Sequence, residues 1–321
     1  MILIITRKDD AHADLVVKKL KELQKRFFRF NTDCASDYEI ALSPSSAHIR
    51  HLATERSVNT DDIKSVWLRR RSLPKSIETA PREFGRFLEE EWSRFYRNLW
   101  VLLENRFWIS PVLAIERAKD KLRQLQLAKS LGFCIPETLV TNCINDVLAF
   151  QKKFKQVVYK PHESGAIRSG TDNVLYTNVI NSELLQRNDL TDNLRICPGI
   201  FQPYIEKKHE IRATVIGHKV FAVKLDSQSN DKTRIDWRKH NFDNMAHTAH
   251  QLPKEEEARC IQLIEHLGLQ FGAIDLIVTP KNELYFLENN ANGQWAWIEI
   301  LTKQPIASEI ALLLASHDEG P

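Results

Sequence analysis

Two carboxylates and one amide side chain near the C-terminal end of the sequence have the types and the spacing of a metal-binding group. Asp275 lies in the apolar run FGAIDLIV, and Glu288 and Asn290 lie in the run LYFLENN, with the turn TPKNE between the two runs. The alternation of apolar residues in both runs predicts a β-hairpin. If Lys281 and Asn282 form its tip, Asp275 pairs with Glu288, and Asn290 projects from the same face as Glu288.

Two facing carboxylates repel each other unless a proton or a cation lies between them. Oxygen-only ligands suit a hard cation, and Mg²⁺ usually takes one or two carboxylates and completes its octahedron with water and substrate phosphates. The hairpin therefore predicts a magnesium site for a phosphate-bearing nucleotide. By itself it also fits an alternative, a half-buried sheet with polar residues on its solvent face.

Three cations upstream of this hairpin are candidates for contacts with phosphates. Lys160 ends the strand VVYK before a loop that contains Ser164, and a lysine in that place can reach phosphates while backbone N–H groups of the loop close over them. Arg212 and Lys224 lie on two alternating runs that are joined by Gly217-His218, a turn of the type II′ kind. Either side chain could neutralise a triphosphate or a transferring phosphoryl group.

The order of these residues resembles that of the ATP-grasp ligases. Asp275 followed by Glu288-x-Asn290 resembles the magnesium-binding end of that fold, and LENNANGQWAWIE looks like the subgroup that matures ribosomal peptides into graspetides, such as the microviridins. The resemblance covers nearly the whole chain. It implies an α/β and α+β protein with the ATP-grasp fold, with Mg²⁺ held by these three residues.

The resemblance also implies where ATP binds. The order of Lys121, Gln124-Leu125, Gly132 and Ile135-Pro136 matches the opening of the ATP-grasp fold, in which a lysine touches the nucleotide; Lys119 is the alternative register. Lys160 matches the lysine that touches the phosphates, beside a flap that includes Ser164.

The adenine base is implied to lie against the segment IFQPYIE, residues 200–206. This segment departs from the usual pattern of the family, because Pro203 has no N–H to donate. Contacts with adenine are therefore left to Gln202, Tyr204 and Ile205. Glu210 matches the acidic residue that commonly holds the ribose hydroxyls.

Two further segments resemble substrate-handling parts of the graspetide ligases. Trp67-Leu68-Arg69-Arg70 resembles their W-x-R-R segment, and Asp236-Trp237-Arg238 follows Ser227-Gln228 in a polar loop. We expect Trp67, Arg69, Arg70 and Asp236 to bind substrate, and Arg238 to hold its carboxylate, because a guanidinium fork fixes a carboxylate in one orientation. The alternative is a tryptophan in the core with solvated arginines.

The activity that the resemblance implies is ATP-dependent macrocyclisation of a ribosomal precursor peptide with a leader and a core. Asp or Glu side chains of the peptide are activated as acyl phosphates and joined to Thr or Ser hydroxyls or Lys amines. Two rival functions are a ligase that adds free amino acids to a protein tail or a small acid, and a nucleotide-binding scaffold without catalysis. A homodimer is also implied.

Elements that would position these residues follow from periodicity. We expect an N-terminal α/β domain over 1–112, a central lid domain over 113–199 and a C-terminal ATP-grasp domain over 200–321. One helix is predicted over 114–131, and a helix over 255–267 precedes the metal hairpin. No G-x-G-x-x-G follows the first strand, which argues against a Rossmann cofactor site.

Composition narrows the class of protein. The 321 residues carry a formal net charge of +3, and the sequence has no recognisable nucleic-acid-binding module. No apolar run is long enough to span a membrane, and no signal sequence is evident, so we expect a cytoplasmic protein. The five cysteines lack metal-site spacing, and we expect reduced, mostly buried thiols.

Overall fold

The computed structural model describes residues 1–163, 165–166, 174–175, 177–181, 190–229, 233–237 and 246–318. The N-terminal part folds around a parallel sheet of four strands in the order β2-β1-β6-β7, beside an antiparallel sheet of three strands, β3-β4-β5. Its elements are β1 (Ile2–Thr6), α1 (Ala11–Glu22), β2 (Phe27–Asn31), β3 (Tyr38–Leu42), β4 (Ala47–His51), β5 (Ser57–Asn59), β6 (Ser65–Leu68), α2 (Arg82–Leu102) and β7 (Phe107–Ile109).

The central part contains an antiparallel sheet in the order β12-β9-β13-β8 and a two-stranded sheet, β10-β11. Strand β13 belongs to this sheet up to Pro203, four residues beyond the boundary expected at 199. The elements are α3 (Val112–Arg117), α4 (Lys121–Ser130), β8 (Leu139–Thr141), α5 (Ile144–Lys153), β9 (Val157–Lys160), β10 (Gly165–Ala166), β11 (Val174–Leu175), β12 (Asn178–Ile180), α6 (Leu190–Ile196) and β13 (Gly199–Pro203).

The single helix predicted over 114–131 is wrong, because the chain breaks between α3 and α4. Asp120 is the N-cap of α4 and has an extended conformation. The side chain of Gln124 donates to the carbonyl of Ala118 and so satisfies an orphan group at the end of α3. Periodicity did not show the break because both helices continue the same apolar pattern.

The C-terminal part is an antiparallel sheet in the order β16-β15-β14-β17-β18. Helix α7 packs on one face with Ile211, Ala213 and Ile274, and helices α8 and α9 pack on the other with Val223 and Ala273. The elements are β14 (His209–Ile216), β15 (Lys219–Leu225), β16 (His247–His250), α7 (Lys254–His266), β17 (Phe271–Val278), β18 (Leu284–Asn290), α8 (Ala296–Thr302) and α9 (Ile306–Ser316).

The N-terminal and C-terminal parts of the chain are in direct contact. Ser65 Oγ donates to the carbonyl of Leu314 at 3.0 Å, and Ser110 Oγ accepts from the N–H groups of Gln270 and Phe271 at 3.0 and 3.2 Å. Trp295 is fully buried between the two parts. Side chains from both parts can therefore meet in one cleft.

The cysteines differ from expectation in their burial. All five are free, but only Cys260 is buried, and Cys134, Cys143 and Cys197 are exposed. In the part of the chain that the structure describes, no helix is both long enough and apolar enough to cross a membrane.

Candidate active site

A cleft of about 810 Å³ is lined by residues from all three parts of the chain. Most of the residues singled out in the sequence lie on its walls. They are Arg69, Arg70, Lys121, Lys160, Gln202, Tyr204, Ile205, Glu210, Asp236, Asp275, Glu288 and Asn290.

The predicted pairing of Asp275 with Glu288 is confirmed, although the tip of the hairpin is not where we expected it. Near the turn, Val278 pairs with Leu284 and Leu276 pairs with Phe286, so the register is one residue away from the prediction. The register shifts between Asp275 and Leu276, and beyond the shift Asp275 pairs with Glu288. A β-bulge, which inserts one extra residue in β18, therefore brings Glu288 to the same face as Asp275.

Both carboxylates are held by cations from other elements. Lys121 Nζ lies 2.8 Å from Glu288 Oε2, and Arg212 Nη1 lies 2.7 Å from Asp275 Oδ1. A Cβ atom at Gly293 would lie 2.5 Å from Arg212 Nη2, so this glycine makes room for the guanidinium. The buried Asp275 carboxylate is stable only with such a partner.

The donor set of this hairpin fits magnesium. Asp275, Glu288 and Asn290 offer only oxygen ligands on one wall of the cleft, and Mg²⁺ prefers carboxylate and amide oxygens with phosphate completing its shell. Among the described residues, no group of three or more His, Cys, Asp or Glu side chains could hold a metal by itself. The set therefore suits a cation that arrives with a nucleotide.

Of the two lysines that could touch ATP, Lys121 lies at the metal carboxylates. Lys119 Nζ instead pairs with Glu116 at 2.8 Å, and both of those side chains are exposed. Lys160 ends β9, whose neighbour β13 leads into the hinge segment, so the phosphate and adenine candidates lie on adjacent strands. Both lysines line the cleft, and Lys121 is the one that pairs with a metal candidate.

The hinge segment offers fewer donors for adenine than expected. Tyr204 N–H donates to the carbonyl of Gln156 at 2.9 Å, so this group is already used. Gln202 Nε2 donates to Thr138 Oγ1 at 2.9 Å. Gln202 is paired with Val158 in the central sheet, which occupies its main-chain N–H. Since Pro203 has no N–H and the N–H of Tyr204 is used, Ile205 is the remaining main-chain donor candidate of the three residues.

The ribose candidate Glu210 is buried and paired with a lysine that the sequence analysis did not single out. Burial raises the pKa of Glu210, whereas the charge and hydrogen bond of Lys207 and a hydrogen bond from Ser227 lower it. Lys207 Nζ lies 2.9 Å from Glu210 Oε1. Burial outweighs these partners, so the pKa of Glu210 is raised overall. Its carboxyl oxygens can accept hydrogen bonds at the edge of the pocket in either protonation state.

Three expected site residues, Trp67, Lys224 and Arg212, are not among the residues that line the cleft, although Arg212 reaches its wall through the pair with Asp275. Trp67 is 2 % exposed and packs in the core with Ile109 and Trp295, so its predicted contact with substrate is wrong. Lys224 pairs with Ile211, whereas Arg212 pairs with Val223, which places Lys224 on the opposite face of the sheet from Arg212. Lys224 is therefore not a phosphate ligand of this cleft.

Lys224 lies instead beside His209 and His250. Burial lowers the pKa of His209 to about 4, and the charge of Lys224 adds to this shift.

The two remaining expected residues, Ser164 and Arg238, lie outside the residues that the structure describes.

Arg69 is fixed by contacts at the join between the N-terminal and C-terminal parts. Its Nη1 donates to the carbonyl of Asn292 at 2.9 Å, and its Nε lies 3.9 Å from Asp10 Oδ2. Burial lowers the pKa of Arg69 to about 10. Asn292 follows Asn290 by two residues, so Arg69 holds the end of the strand that carries the metal candidates.

Gln124 is a further residue to which the sequence analysis gave no role. Its buried amide donates to the carbonyl of Asn289 at 2.9 Å and accepts from the N–H of Asn289 at 2.7 Å. It thereby ties α4, which begins at Lys121, to the strand that carries Glu288. Its place after Lys121 in the ATP-grasp opening was a sequence signal for this residue, but no role was assigned to it.

We expect Gln124→Ala to lower the free energy of unfolding by about 2–4 kcal/mol, because Asn289 and Ala118 lose their partners in a buried place. We also expect the KM for ATP to rise, because Lys121 loses its fixed position. Thermal unfolding and initial rates of ADP release measure both effects. Gln126→Ala is the matched control, since Gln126 is exposed on the same helix; a Gln124→Ala protein that matches it would contradict the role.

Two family models match adjacent parts of the chain. The model described as the MvdD pre-ATP grasp domain matches residues 1–116, and the model described as the RimK-like ATP-grasp domain matches residues 118–314. Among curated proteins, the tetrahydromethanopterin:α-L-glutamate ligase of Methanocaldococcus jannaschii is 23 % identical over 223 residues, which are 68 % of this chain and 74 % of that protein.

Solved structures match over nearly the full length. A RiPP-associated ATP-grasp ligase of Chryseobacterium gregarium, in complex with ADP and a leader and core peptide, is 31 % identical, with a TM-score of 0.87 and coverage of 99 % of this chain and 98 % of that chain. The macrocyclase MdnC of Microcystis aeruginosa, bound with precursor peptide MdnA, is 29 % identical, with a TM-score of 0.87 and coverage of 98 % and 100 %. The chain therefore belongs to the family of RiPP-associated ATP-grasp ligases, whose reactions use ATP and Mg²⁺.

Proposed function

We propose that this protein is a peptide macrocyclase that joins side chains of one ribosomal precursor peptide at the expense of ATP. The observation that carries the proposal is the pairing of Asp275 with Glu288 in the cleft, with Lys121 and Arg212 on the two carboxylates. A scaffold without catalysis has no need of this charge arrangement. The 31 % identical ligase, solved with a leader and core peptide, supports the substrate class.

The reaction has two steps. An oxygen of an Asp or Glu side chain of the peptide attacks the γ-phosphorus of ATP, the bond to the β-phosphate oxygen breaks, and an acyl phosphate and ADP result. A Thr or Ser hydroxyl or a Lys amine then attacks the acyl carbon, gives up its proton, and expels phosphate. The product is an ω-ester or an ω-amide. Because both groups belong to one bound peptide, the second step gains from proximity.

The protein positions the reactants and neutralises charge. Mg²⁺ on Asp275, Glu288 and Asn290 would offset the negative charge of the phosphates when it is bound. Lys160 and Arg212 would stabilise the transferring group, and Glu210 would accept from the ribose hydroxyls. Lys121 keeps Glu288 in place by their 2.8 Å ion pair.

The substrate carboxylate needs cations beyond those that the nucleotide uses. Arg70 and Asp236 lie on the wall of the cleft and are our candidates for contacts with the peptide. Arg238 follows Asp236 and Trp237 in the sequence and is proposed as the carboxylate clamp. Arg69 reaches the same wall, with one guanidinium nitrogen bound to Asn292.

Two further proposals concern the protein as a whole. A cytoplasmic location is supported by the use of ATP and by free thiols, which persist in a reducing compartment. A homodimer is supported by large apolar side chains that α2 exposes, including Phe84 and Phe87.

The substrate class is tested by offering the protein one of two kinds of substrate, a peptide or a free amino acid, together with ATP and Mg²⁺. We expect ADP release with a ribosomal precursor peptide that carries a leader and a core, and no ADP release with free glutamate. Coupled spectrophotometry measures ADP in both reactions. ADP release with free glutamate, together with a mass gain on an acceptor, would favour the rival ligase that adds amino acids.

A further inference from the structure

Lys207 is a buried cation that the proposed reaction does not use. Its Nζ donates to Glu210 Oε1 at 2.9 Å and to the carbonyl of Ile235 at 2.9 Å. The side chain is 4 % exposed. An ammonium group withdrawn from water in this way is stable only where hydrogen bonds and an opposite charge replace its hydration. Lys207 therefore forms a direct connection between the ribose candidate and the loop 233–237.

The loop 233–237 has attachments on more than one side. Thr233 Oγ1 donates to the carbonyl of Ser227 at 2.8 Å. At its other end, Asp236 Oδ2 accepts from the N–H of Thr177 at 3.3 Å. Thr177 precedes β12, which pairs with β9, the strand that ends at Lys160. The loop thus spans from the nucleotide wall to the central sheet.

The same loop also lies close to the hinge. Ile235 and Asp236 of the loop line the same cleft as Tyr204 and Ile205 of the hinge. Trp237 is buried, with its ring centroid 5.6 Å from that of Trp297, so the loop is anchored in the core as well. A change at the nucleotide wall can therefore reach Asp236 through a short, well-packed path.

We propose that Lys207 is a positioning residue that couples nucleotide binding at Glu210 to the order of the loop 233–237, which presents Asp236 to the cleft. Ribose hydroxyls that donate to Glu210 complete its hydrogen bonds, and the fixed carboxylate fixes the ammonium that holds Ile235. Such a coupling is reciprocal, so an ordered loop also favours nucleotide binding. The coupling rests on the nucleotide site, and its use in placing a peptide rests on the proposed function.

Hydrogen–deuterium exchange with Mg²⁺ and ADP as the probe tests this coupling without any peptide. In the wild type, we expect Mg·ADP to slow exchange of the amides of residues 233–237 by at least about fivefold, the low end of typical couplings between sites. In Lys207→Gln, this slowing is lost, whereas amides of residues 200–205 in the hinge are still slowed. A residue with a merely structural role would change exchange in both states and keep the response to nucleotide.

Three variants complete the test. Lys208→Gln is the matched control, because Lys208 is exposed and, among the described contacts, its side chain bonds only to the turn residue Asn282. We expect the wild-type response in this variant. Lys207→Arg keeps the charge and the donors and is expected to restore the response in part. If Lys207→Gln leaves Glu210 so poorly paired that the protein does not fold, Lys207→Met combined with Glu210→Gln removes both charges and is still expected to lose the response.

Two results would overturn the coupling. One is a full response of the loop in Lys207→Gln or in the double variant. The other is a wild-type protein in which Mg·ADP slows the hinge but leaves residues 233–237 unchanged. A protein that shows the coupling but crosslinks no peptide would contradict the proposed function alone.

Discussion

Glu288→Gln is expected to lower ATP-dependent ADP formation by at least about a hundredfold, the size of effect seen when a preorganised electrostatic group is removed. The neutral amide leaves Mg²⁺ with one carboxylate fewer and the phosphates with less compensated charge. Its shape is nearly unchanged, and its oxygen can still accept from Lys121, which now lies 2.8 Å from Glu288. The fold should therefore persist, as far-ultraviolet circular dichroism can show.

The control for this variant lies on the same hairpin. Glu283→Gln removes a carboxylate from the exposed turn, where Glu283 bonds only to Thr279 among the described contacts. We expect its ADP formation to stay within about twofold of the wild type, because surface charges away from the site have small effects. Wild-type turnover by a folded Glu288→Gln protein would refute the magnesium assignment.

Arg212 and Lys224 are expected to differ sharply in their effects on turnover, although both were candidates for the same role. Arg212→Lys keeps a positive charge but loses the planar fork that holds Asp275, and we expect a fall in kcat of about a hundredfold. Lys224→Gln lies on the opposite face of the sheet, and we expect kcat within about twofold of the wild type. Steady-state kinetics with ATP and the precursor peptide measures both.

Two results would contradict the roles assigned to Arg212 and Lys224. Equal losses in both variants would mean that β15 does contribute to the cleft and that the assigned face of Lys224 is wrong. No loss in Arg212→Lys would mean that the pair with Asp275 serves only to stabilise the fold. The unfolding free energies of both variants separate a catalytic loss from a stability loss.

The face of Lys224 could have been predicted from the sequence. Gly217-His218 was recognised as a two-residue turn, and the structure has Ile216 paired with Lys219 across it. That turn fixes the whole register, so Arg212 must pair with Val223, and Lys224 must lie on the other face. The prediction failed because the two strands were each assigned a face without pairing them through the turn.

For the hairpin of β17 and β18, the predicted pair was correct, but the sequence did not show the feature that produces it. The sequence predicted the pair of Asp275 and Glu288 from a tip at Lys281 and Asn282, and the pair exists only because β18 contains a bulge before Glu288. Without the bulge, the observed turn would place Glu288 on the face opposite Asp275. Bulges leave little trace in a single sequence. The pair was predicted correctly because the displaced tip and the bulge each shift the register by one residue, in opposite directions.

Contacts between distant elements were beyond sequence reasoning. Lys207 and Gln124 act through partners 28 and 165 residues away, respectively, and no local pattern reports such contacts. Trp67 illustrates the same limit, because an apolar side chain beside two arginines fits a substrate contact and a core position equally well. Trp67 is buried because it packs in one cluster with Trp295, which lies near the other end of the chain.

The proposed macrocyclase activity is tested most directly by measuring ADP and peptide mass in one reaction. Purified protein, ATP, Mg²⁺ and the precursor peptide are incubated together, and the peptide is analysed by mass spectrometry while ADP is quantified. We predict that the peptide loses one water for each ADP formed. The product should still be a single peptide, because each crosslink joins two side chains of the same molecule. ADP release without a loss of water, or a gain of mass from an added amino acid, would contradict the account.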